Sequence, residues 1–342
     1  MRSFCSWGLL ASSLLLFISP FAHAEPTVTV QVTVYWEGRE LKEPNVDALM
    51  LLRKNFPAIP LTHLVNPAYF LDEAKDTDNL QSLQRVVQTD DEVGLYLAPI
   101  EALVRHAGII LKLQPSFWGY IDEGEVCEND CGLDVPLTVY NREEVLSLFF
   151  SAQTVMQKAG FIGMKSFAVR GWMEAPFVTQ LASAFGYQVD LSPIDPNLIV
   201  PKLREFPISS WVAHRWGELI NADPEALQRF SQVDPLVRKL PQMGGVLELT
   251  DQREILARFD RSLKDRREHP LFNQAFTLGI SAETAFQSWP KLRMILQRMQ
   301  ERAKAQNFAV KFVTASSTKN SRPIATDMRI STRLSTGTRA PE

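Results

Sequence analysis

Cysteine is scarce in this chain, histidine is scattered, and no long apolar run follows the first two dozen residues. Each shortage excludes something. The cysteines are Cys5, Cys127 and Cys131, and the histidines are His23, His63, His106, His214 and His269. Nothing among them supplies a second Cys or His pair at ligand spacing, so half a zinc site at Cys127 and Cys131 has no other half. Beyond residue 24 no segment approaches the roughly 20 apolar residues of a membrane span. An excess of charge is lacking too. Lysine and arginine total 36 against 39 aspartates and glutamates, a formal net charge of −3, which gives no electrostatic case for nucleic acid. No internal repeat is present.

What is present starts at the first line. Arg2 gives a short positive start, and Trp7 to Ile18 form an apolar stretch broken only by Gly8, Ser12 and Ser13. Ala22-His23-Ala24 then places small residues at the two positions a signal peptidase must fit. The stretch is short for a membrane anchor. The pattern predicts a signal peptide over residues 1–24, cleaved after Ala24, and a periplasmic or secreted protein; it does not choose between the two. In such an oxidising compartment an isolated close pair, Cys127 and Cys131, most simply forms a local disulfide. Closing so small a loop stabilises by about 2 kcal/mol on the chain-entropy model.

Strand and helix patterns alternate from there on. Val28, Val30, Val32 and Val34 alternate with Thr29, Gln31 and Thr33, a period-two strand. A helix is expected over 47–56, a strand over 61–70, a helix over 81–88, a strand over 92–97 and a helix over 100–106. Residues 109–140 have little periodicity, and a loop of that length is usually functional or specifically ordered. Helix 142–159, strand 165–169, helix 175–185 and strand 187–191 follow. After a Pro-rich passage come strands at 208–214 and 246–249, a helix capped by Asp251, strand 275–280, helix 288–307 and strand 308–314.

This order implies a parallel sheet covered by helices, and seven or eight strands in about 290 residues suit closure into a barrel. The domain division expected is a barrel over 25–315 and a Ser/Thr/Arg-rich, disordered tail over 316–342. The tail carries five basic and two acidic residues. A solvated tail is preferred over a segment that binds an acidic polymer.

Several of these segments resemble the polysaccharide deacetylase superfamily. Phe167-Ala-Val-Arg-Gly-Trp172, a helix, and Gly186-Tyr-Gln-Val-Asp-Leu-Ser192 resemble that family's Phe-Arg-x-Gly-x-Trp and Gly-aromatic-x-x-Asp-x-Ser segments. Glu92-Val-Gly-Leu-Tyr-Leu-Ala-Pro99 is similar to its third-strand segment, and Val32-Thr-Val-Tyr-Trp-Glu-Gly38 stands in the place of its first-strand Asp motif. Leu278-Gly-Ile-Ser-Ala-Glu-Thr284 resembles the late strand that carries a catalytic His. The resemblance spans most of residues 27–314 in order. It implies an irregular (β/α) barrel of about seven strands, exported, acting on glycans.

The same resemblance places substitutions at the reactive positions. Metal-assisted deacetylation needs one carboxylate and two imidazoles on a divalent ion, with a base and an acid beside it. Here the first Asp falls on Tyr35, with Trp36 and Glu37 adjacent. The two ligand histidines fall on Tyr96 and Ala98, the motif Arg on Ala168 with Arg170 two positions on, and the late His on Ser281. No metal and no cofactor are therefore expected.

Three functional readings stand. The first is a non-catalytic glycan-binding protein. The second is a metal-independent carbohydrate hydrolase in which Glu37 and Glu283 face one barrel mouth, since two carboxylates suffice for glycoside hydrolysis. Against it, Glu37 can simply begin a Glu-Gly turn and Glu283 can serve a helix N-terminus. The third is a partner in polysaccharide export whose 109–140 loop meets another protein.

Tyr35, Trp36, Tyr96, Trp118, Arg170, Trp172, Asp190 and Ser281 are the candidate cleft-lining or glycan-binding residues. Their aromatics can stack on sugar faces or fill the core. For Trp211 and Trp216 core is preferred. His63 reads as a hydrogen-bonded strand histidine sooner than a lone catalytic group, and Asp190 either orients Arg170 or forms a structural ion pair.

Overall fold

The computed structural model describes residues 26–72, 76–113, 131–133, 135–170, 176–192, 238–239, 245–247, 250–269 and 275–317. Residues 1–24, Trp118, Cys127, Trp172, Trp211, Trp216, the strand expected at 208–214 and all but the first two residues of the tail lie outside these. Cys131 is buried.

The first strand, β1 (Thr27–Trp36), sets the plan. Successive side chains on a strand point to opposite faces. Val28, Val30, Val32, Val34 and Trp36 enter the main apolar core, while Tyr35 belongs to a second cluster on the other face. Gln31 and Thr33 share the Tyr35 face by alternation, yet both are fully buried. The polar half of the pattern therefore faces an interior and not solvent.

Eight further strands are described: β2 (Leu61–Val65), β3 (Glu92–Leu97), β4 (Ser166–Val169), β5 (Val189–Asp190), β6 (Arg238–Lys239), β7 (Gly245–Val246), β8 (Phe276–Ser281) and β9 (Ala309–Val313). They form one sheet in the order β6-β5-β4-β3-β2-β1-β8-β7, with β9 on β1, and every described pairing is parallel. On β1, β9 pairs residues 27–31 and β2 pairs residues 32–36, whereas β8 pairs residues 30–35. Because β8 overlaps both, β9 and β2 lie end to end along the opposite edge.

The sheet is curled. Tyr35 Oη donates to the carbonyl of Leu191, just past β5, at 3.5 Å. Three strands separate β1 from β5, which in a flat sheet would put them roughly 19 Å apart. The result is a half-barrel, the α/β architecture the element order implied. Its lumen is polar at the base, where Gln31, Thr33, Thr62, Ser166 and Thr277 are fully buried. Above them lie Tyr35, Leu64, Tyr96, Ala98, Ala168 and Leu191. Gly94 is required in that wall, because a Cβ there would sit 2.3 Å from Ser166 Oγ and 2.5 Å from its carbonyl.

Helices cover the outside: α1 (Glu43–Asn55), α2 (Asp76–Val86), α3 (Glu101–His106), α4 (Arg142–Lys158), α5 (Pro176–Ala184), α6 (Gln252–Glu268) and α7 (Ala285–Ala305). The start of α4 carries a capping box. Asn141 Oδ1 accepts from Glu144 N at 2.9 Å and Glu144 Oε2 accepts from Asn141 N at 2.7 Å. Among the described residues no helix is long and apolar enough to cross a membrane.

Two boundaries differ from expectation for clear reasons. The strand expected over 61–70 stops at Val65, because Pro67 has no N–H for the ladder. Asn66 instead caps a 3₁₀ turn, Pro67–Phe70, its Oδ1 accepting from Ala68 N at 2.9 Å. The last long helix begins at Ala285, three residues early, and runs through Pro290. Its own N-cap, Thr284, makes no side-chain cap bond; Asn45 of α1 supplies one, Oδ1 accepting from Phe286 N at 3.0 Å.

Candidate functional site

The carboxyl ends of β1, β4 and β8 bring Glu37, Arg170, Ser281 and Glu283 together, with Arg39 from the turn after β1 and Tyr69 from the 3₁₀ turn after β2. Gly38 makes this possible. Its φ of +91° is open to glycine and strained for other residues, and it folds the chain so that two consecutive N–H groups point the same way. Glu37 N and Gly38 N both donate to Glu283 Oε1, at 2.7 and 3.1 Å. The Tyr69 hydroxyl donates to the same oxygen, and Ser281 Oγ donates to Oε2 at 3.1 Å. Asn45 Nδ2 holds the Glu283 carbonyl at 2.6 Å.

Glu37 is held differently. Arg170 NH1 donates to its Oε1 at 2.7 Å and Arg39 NH2 to its Oε2 at 2.6 Å. Both carboxylate oxygens are thus taken by guanidinium groups. Burial and the neighbouring Glu37 charge push Glu283 up to about 7, against the opposing bond from Tyr69. Burial likewise raises the Tyr69 and Tyr96 phenols, so both stay protonated at neutral pH. Burial works against the Arg39 charge, but Glu37 more than compensates and its pKa is raised. The two carboxylates therefore diverge in environment: one lies between two arginines, the other keeps its proton to near neutrality.

Tyr35 and Tyr96 meet in the lumen below, ring centroids 5.5 Å apart. Ser281 lies in register with Tyr35. Two other sequence candidates face away. Trp36 is 1% exposed and packs in the helix-side core. It is core, not cleft. Asp190 lies between Val189 and Leu191, which belong to the lumen cluster, so alternation turns it to the helix side, where its Oδ1 accepts from Ser192 N at 2.8 Å. Arg170 is held by Glu37.

His63 sits in a separate buried network behind the sheet. Trp36 Nε1 donates to His63 Nδ1 at 3.0 Å, which leaves Nε2 to carry the proton, 3.2 Å from Asp91 Oδ2. Arg53 of α1 donates to Asp91, to Val86 O at 3.0 Å and to Ile59 O at 2.9 Å. Burial lowers the His63 pKa, so the ring is neutral. For Asp91, burial works upward but is outweighed by bonds from His63, Leu61 N and Gln88 N, and its pKa is lowered. The histidine is a hydrogen-bonded structural residue.

Sequence patterns did not flag Arg39, Tyr69 or Asn45. The opposite charge two places after Glu37 was the available sign for Arg39. Nothing local marks Tyr69 or Asn45, whose partner Glu283 lies more than 200 positions away.

A divalent cation of the deacetylase kind does not fit these residues. The strand-end positions hold Tyr35, Tyr96, Ala98 and Ser281, of which the Tyr96 phenol is held protonated by burial. Of the two carboxyl groups beside them, Glu37 has both oxygens on guanidinium groups, whose charges repel a cation, and the Glu283 oxygens accept from Glu37 N, Gly38 N, Tyr69 and Ser281.

Solved structures that match this chain include a family 4 carbohydrate esterase from Streptomyces lividans, at 8% identity and a TM-score of 0.42, over 86% of this chain and 97% of that one. Another is the esterase domain of a multidomain xylanase from the hindgut metagenome of Trinervitermes trinervoides, at 6% identity, TM-score 0.39, 85% and 89% coverage. A third is a family 4 pseudoenzyme from Bacillus anthracis, at 10% identity, TM-score 0.41, covering 84% of this chain and 64% of that one. No family model and no curated protein sequence matches. Likenesses this distant leave the chemistry of the site to this chain's own residues.

Proposed function

We propose that this protein is an exported, deacetylase-like barrel that binds a cell-surface or extracellular glycan at the carboxyl ends of its strands, without metal-dependent deacetylation. One observation carries the reading: Glu37, two positions past Tyr35, where the resemblance calls for the first Asp, is locked between Arg39 and Arg170. The mouth of a β/α barrel is where such folds bind ligands, and phenols with convergent charged groups suit a sugar. The leader-like residues 1–24 and the Cys127–Cys131 pair support export and a local disulfide.

The deciding experiment combines metal content with turnover and binding. The purified protein is expected to bind oligosaccharides in calorimetry and to release no acetate from acetylated chitooligosaccharides. One zinc per chain with acetate release overturns the proposal.

A metal-independent hydrolase is the second reading, favoured by two carboxyl groups, Glu37 and Glu283, at one barrel mouth in different surroundings, with Glu283 raised to about 7, since glycosidases use a pair of carboxyl groups in distinct roles. It is opposed by the four donors that occupy the Glu283 oxygens. Turnover of a glycan that is lost in Glu37→Gln with binding retained would establish it.

A further inference from the structure

Charge is unevenly spread over the outside of the barrel. Helices α6 and α7 together carry eleven basic and five acidic residues, a surplus of +6. The whole chain is −3, so everything outside these two helices carries −9. The two are neighbours: Arg302 of α7 pairs with Asp260 of α6, and Gln252 of α6 donates to Met294 Sδ. Helix α1 also packs on α7, where Phe56 meets Trp289 edge-on and Asn45 caps Phe286 N. Helix α7 is thus flanked by described helices.

Most acids of this layer are committed. Glu254 pairs with Arg258, Glu268 with Lys264, Glu301 with Arg298, and Glu43 and Asp47 with Arg85 of α2. Glu40, Asp265 and the α6 cap Asp251 are exposed. Against them, Lys42, Lys54, Arg253, Arg261, Arg293 and Lys304 are exposed and have no ion-pair partner among the described residues.

Bulky apolar side chains stand among these charges. Of the nine large hydrophobic residues exposed among those described, four are on α1 and α7: Met50 at 36%, Leu51 at 44%, Phe286 at 63% and Met294 at 38%. On α7, Phe286, Pro290, Arg293, Met294 and Lys304 share the outer face, opposite buried Leu292, Ile295, Leu296 and Met299. A polyanion asks only for the charge. A bilayer interface also takes up the apolar side chains while lysine and arginine reach the headgroups.

We propose that the outer face of α7, with the adjoining faces of α1 and α6, is a docking surface for a membrane with anionic phosphate headgroups. Phe286 and Met294 enter the headgroup boundary, and Arg253, Arg293 and Lys304 lie over lipid phosphates. Attachment is peripheral and does not depend on what the barrel mouth binds.

Co-sedimentation of the full chain with vesicles supplies the test, using phosphatidylcholine alone and phosphatidylcholine with phosphatidylglycerol. The parent should partition at least about tenfold more strongly onto the anionic vesicles, since each basic residue at such a surface adds about fivefold. The preference should shrink as salt rises from about 0.05 to 0.5 M. An apolar leader would bind both vesicles and a basic tail the anionic ones, so variants on the helices decide. Arg293→Gln with Lys304→Gln should lose at least about tenfold on anionic vesicles. Arg253→Gln with Arg261→Gln on α6 gives a second pair should the first fail to fold. Phe286→Ser should lose about tenfold while keeping the parent's melting temperature.

Equal partitioning onto both vesicles overturns the proposal, as does an anionic preference unchanged in both well-folded double variants. A sulfated polysaccharide bound more tightly than the anionic vesicles, with Phe286→Ser indistinguishable from the parent, makes the partner a polyanion and overturns the lipid surface. Salt-sensitive self-association without vesicles, abolished in the same variants, makes the partner a second copy and overturns it too.

Discussion

Glu283 is a carboxylate set by its surroundings. Three donors converge on one of its oxygens and a serine hydroxyl on the other, yet burial and the Glu37 charge still hold its pKa near 7. Between about pH 4.5 and 7 the folded protein keeps a proton there that the unfolded chain has released, so this group lowers stability as pH rises through that window, on the order of 1–3 kcal/mol. His63 works in the opposite sense. Its depressed pKa means that only the unfolded chain takes up a proton below about 6.5, so its contribution is lost as pH falls. In the parent the two slopes oppose each other between pH 5 and 6.5. Glu283→Gln keeps an acceptor for the two backbone N–H groups and removes the titration. Chemical denaturation from pH 5 to 7.5 should then show the variant losing stability on acidification more steeply than the parent. Superimposable profiles would contradict the assignment.

At the scale of elements, one link between helix and sheet is a buried polar network. Arg53 on α1 reaches Asp91 ahead of β3, the end of α2 through Val86 O, and the approach to β2 through Ile59 O. The Arg53 and Asp91 side chains are both almost wholly buried. Removing one partner leaves a buried charge uncompensated, so Arg53→Met should cost about 3–5 kcal/mol in urea denaturation, although methionine fits the apolar stem. A loss below about 1 kcal/mol would show the network to be incidental. Most elements in this layer were legible from the sequence. The valine alternation marked β1, and the periodic run over 142–159 marked α4, because both signals are local. The strand expected through Phe70 was not, since its end is set by Asn66 and Pro67 and by the 3₁₀ turn they start. That turn matters to the site, because it delivers Tyr69 to Glu283.

For the molecule as a whole, the chain closes on itself at the base of the barrel. β9 pairs with the first half of β1, and the residues after it cross beneath β2 and β3. Ala315 N donates to Thr62 Oγ1 at 2.9 Å and Ser316 N to Glu92 Oε2 at 2.7 Å. Deleting residues 309–342 would leave the edge of β1 from Thr27 to Gln31 without its partner. Each backbone bond lost costs about 1 kcal/mol net, so the melting temperature should fall by at least about 5 °C. A melting temperature within about 1 °C of the parent would mean that β1 is held by β2 and β8 alone.

The residues by themselves determined the alternation of strand and helix, the leader-like start, and the side chains at the strand ends where a metal site would need others. These follow from local periodicity and from chemistry a residue carries wherever it sits. Tertiary structure alone decided which face of each strand is the lumen, and so that Gln31 and Thr33 are buried while Trp36 turns to the core. It also decided that Glu37 meets Arg39 and Arg170, and that Glu283 meets Tyr69. Period two separates two faces without saying which is wet, and contacts between groups 246 positions apart, as between Glu37 and Glu283, exist only once the sheet has curled.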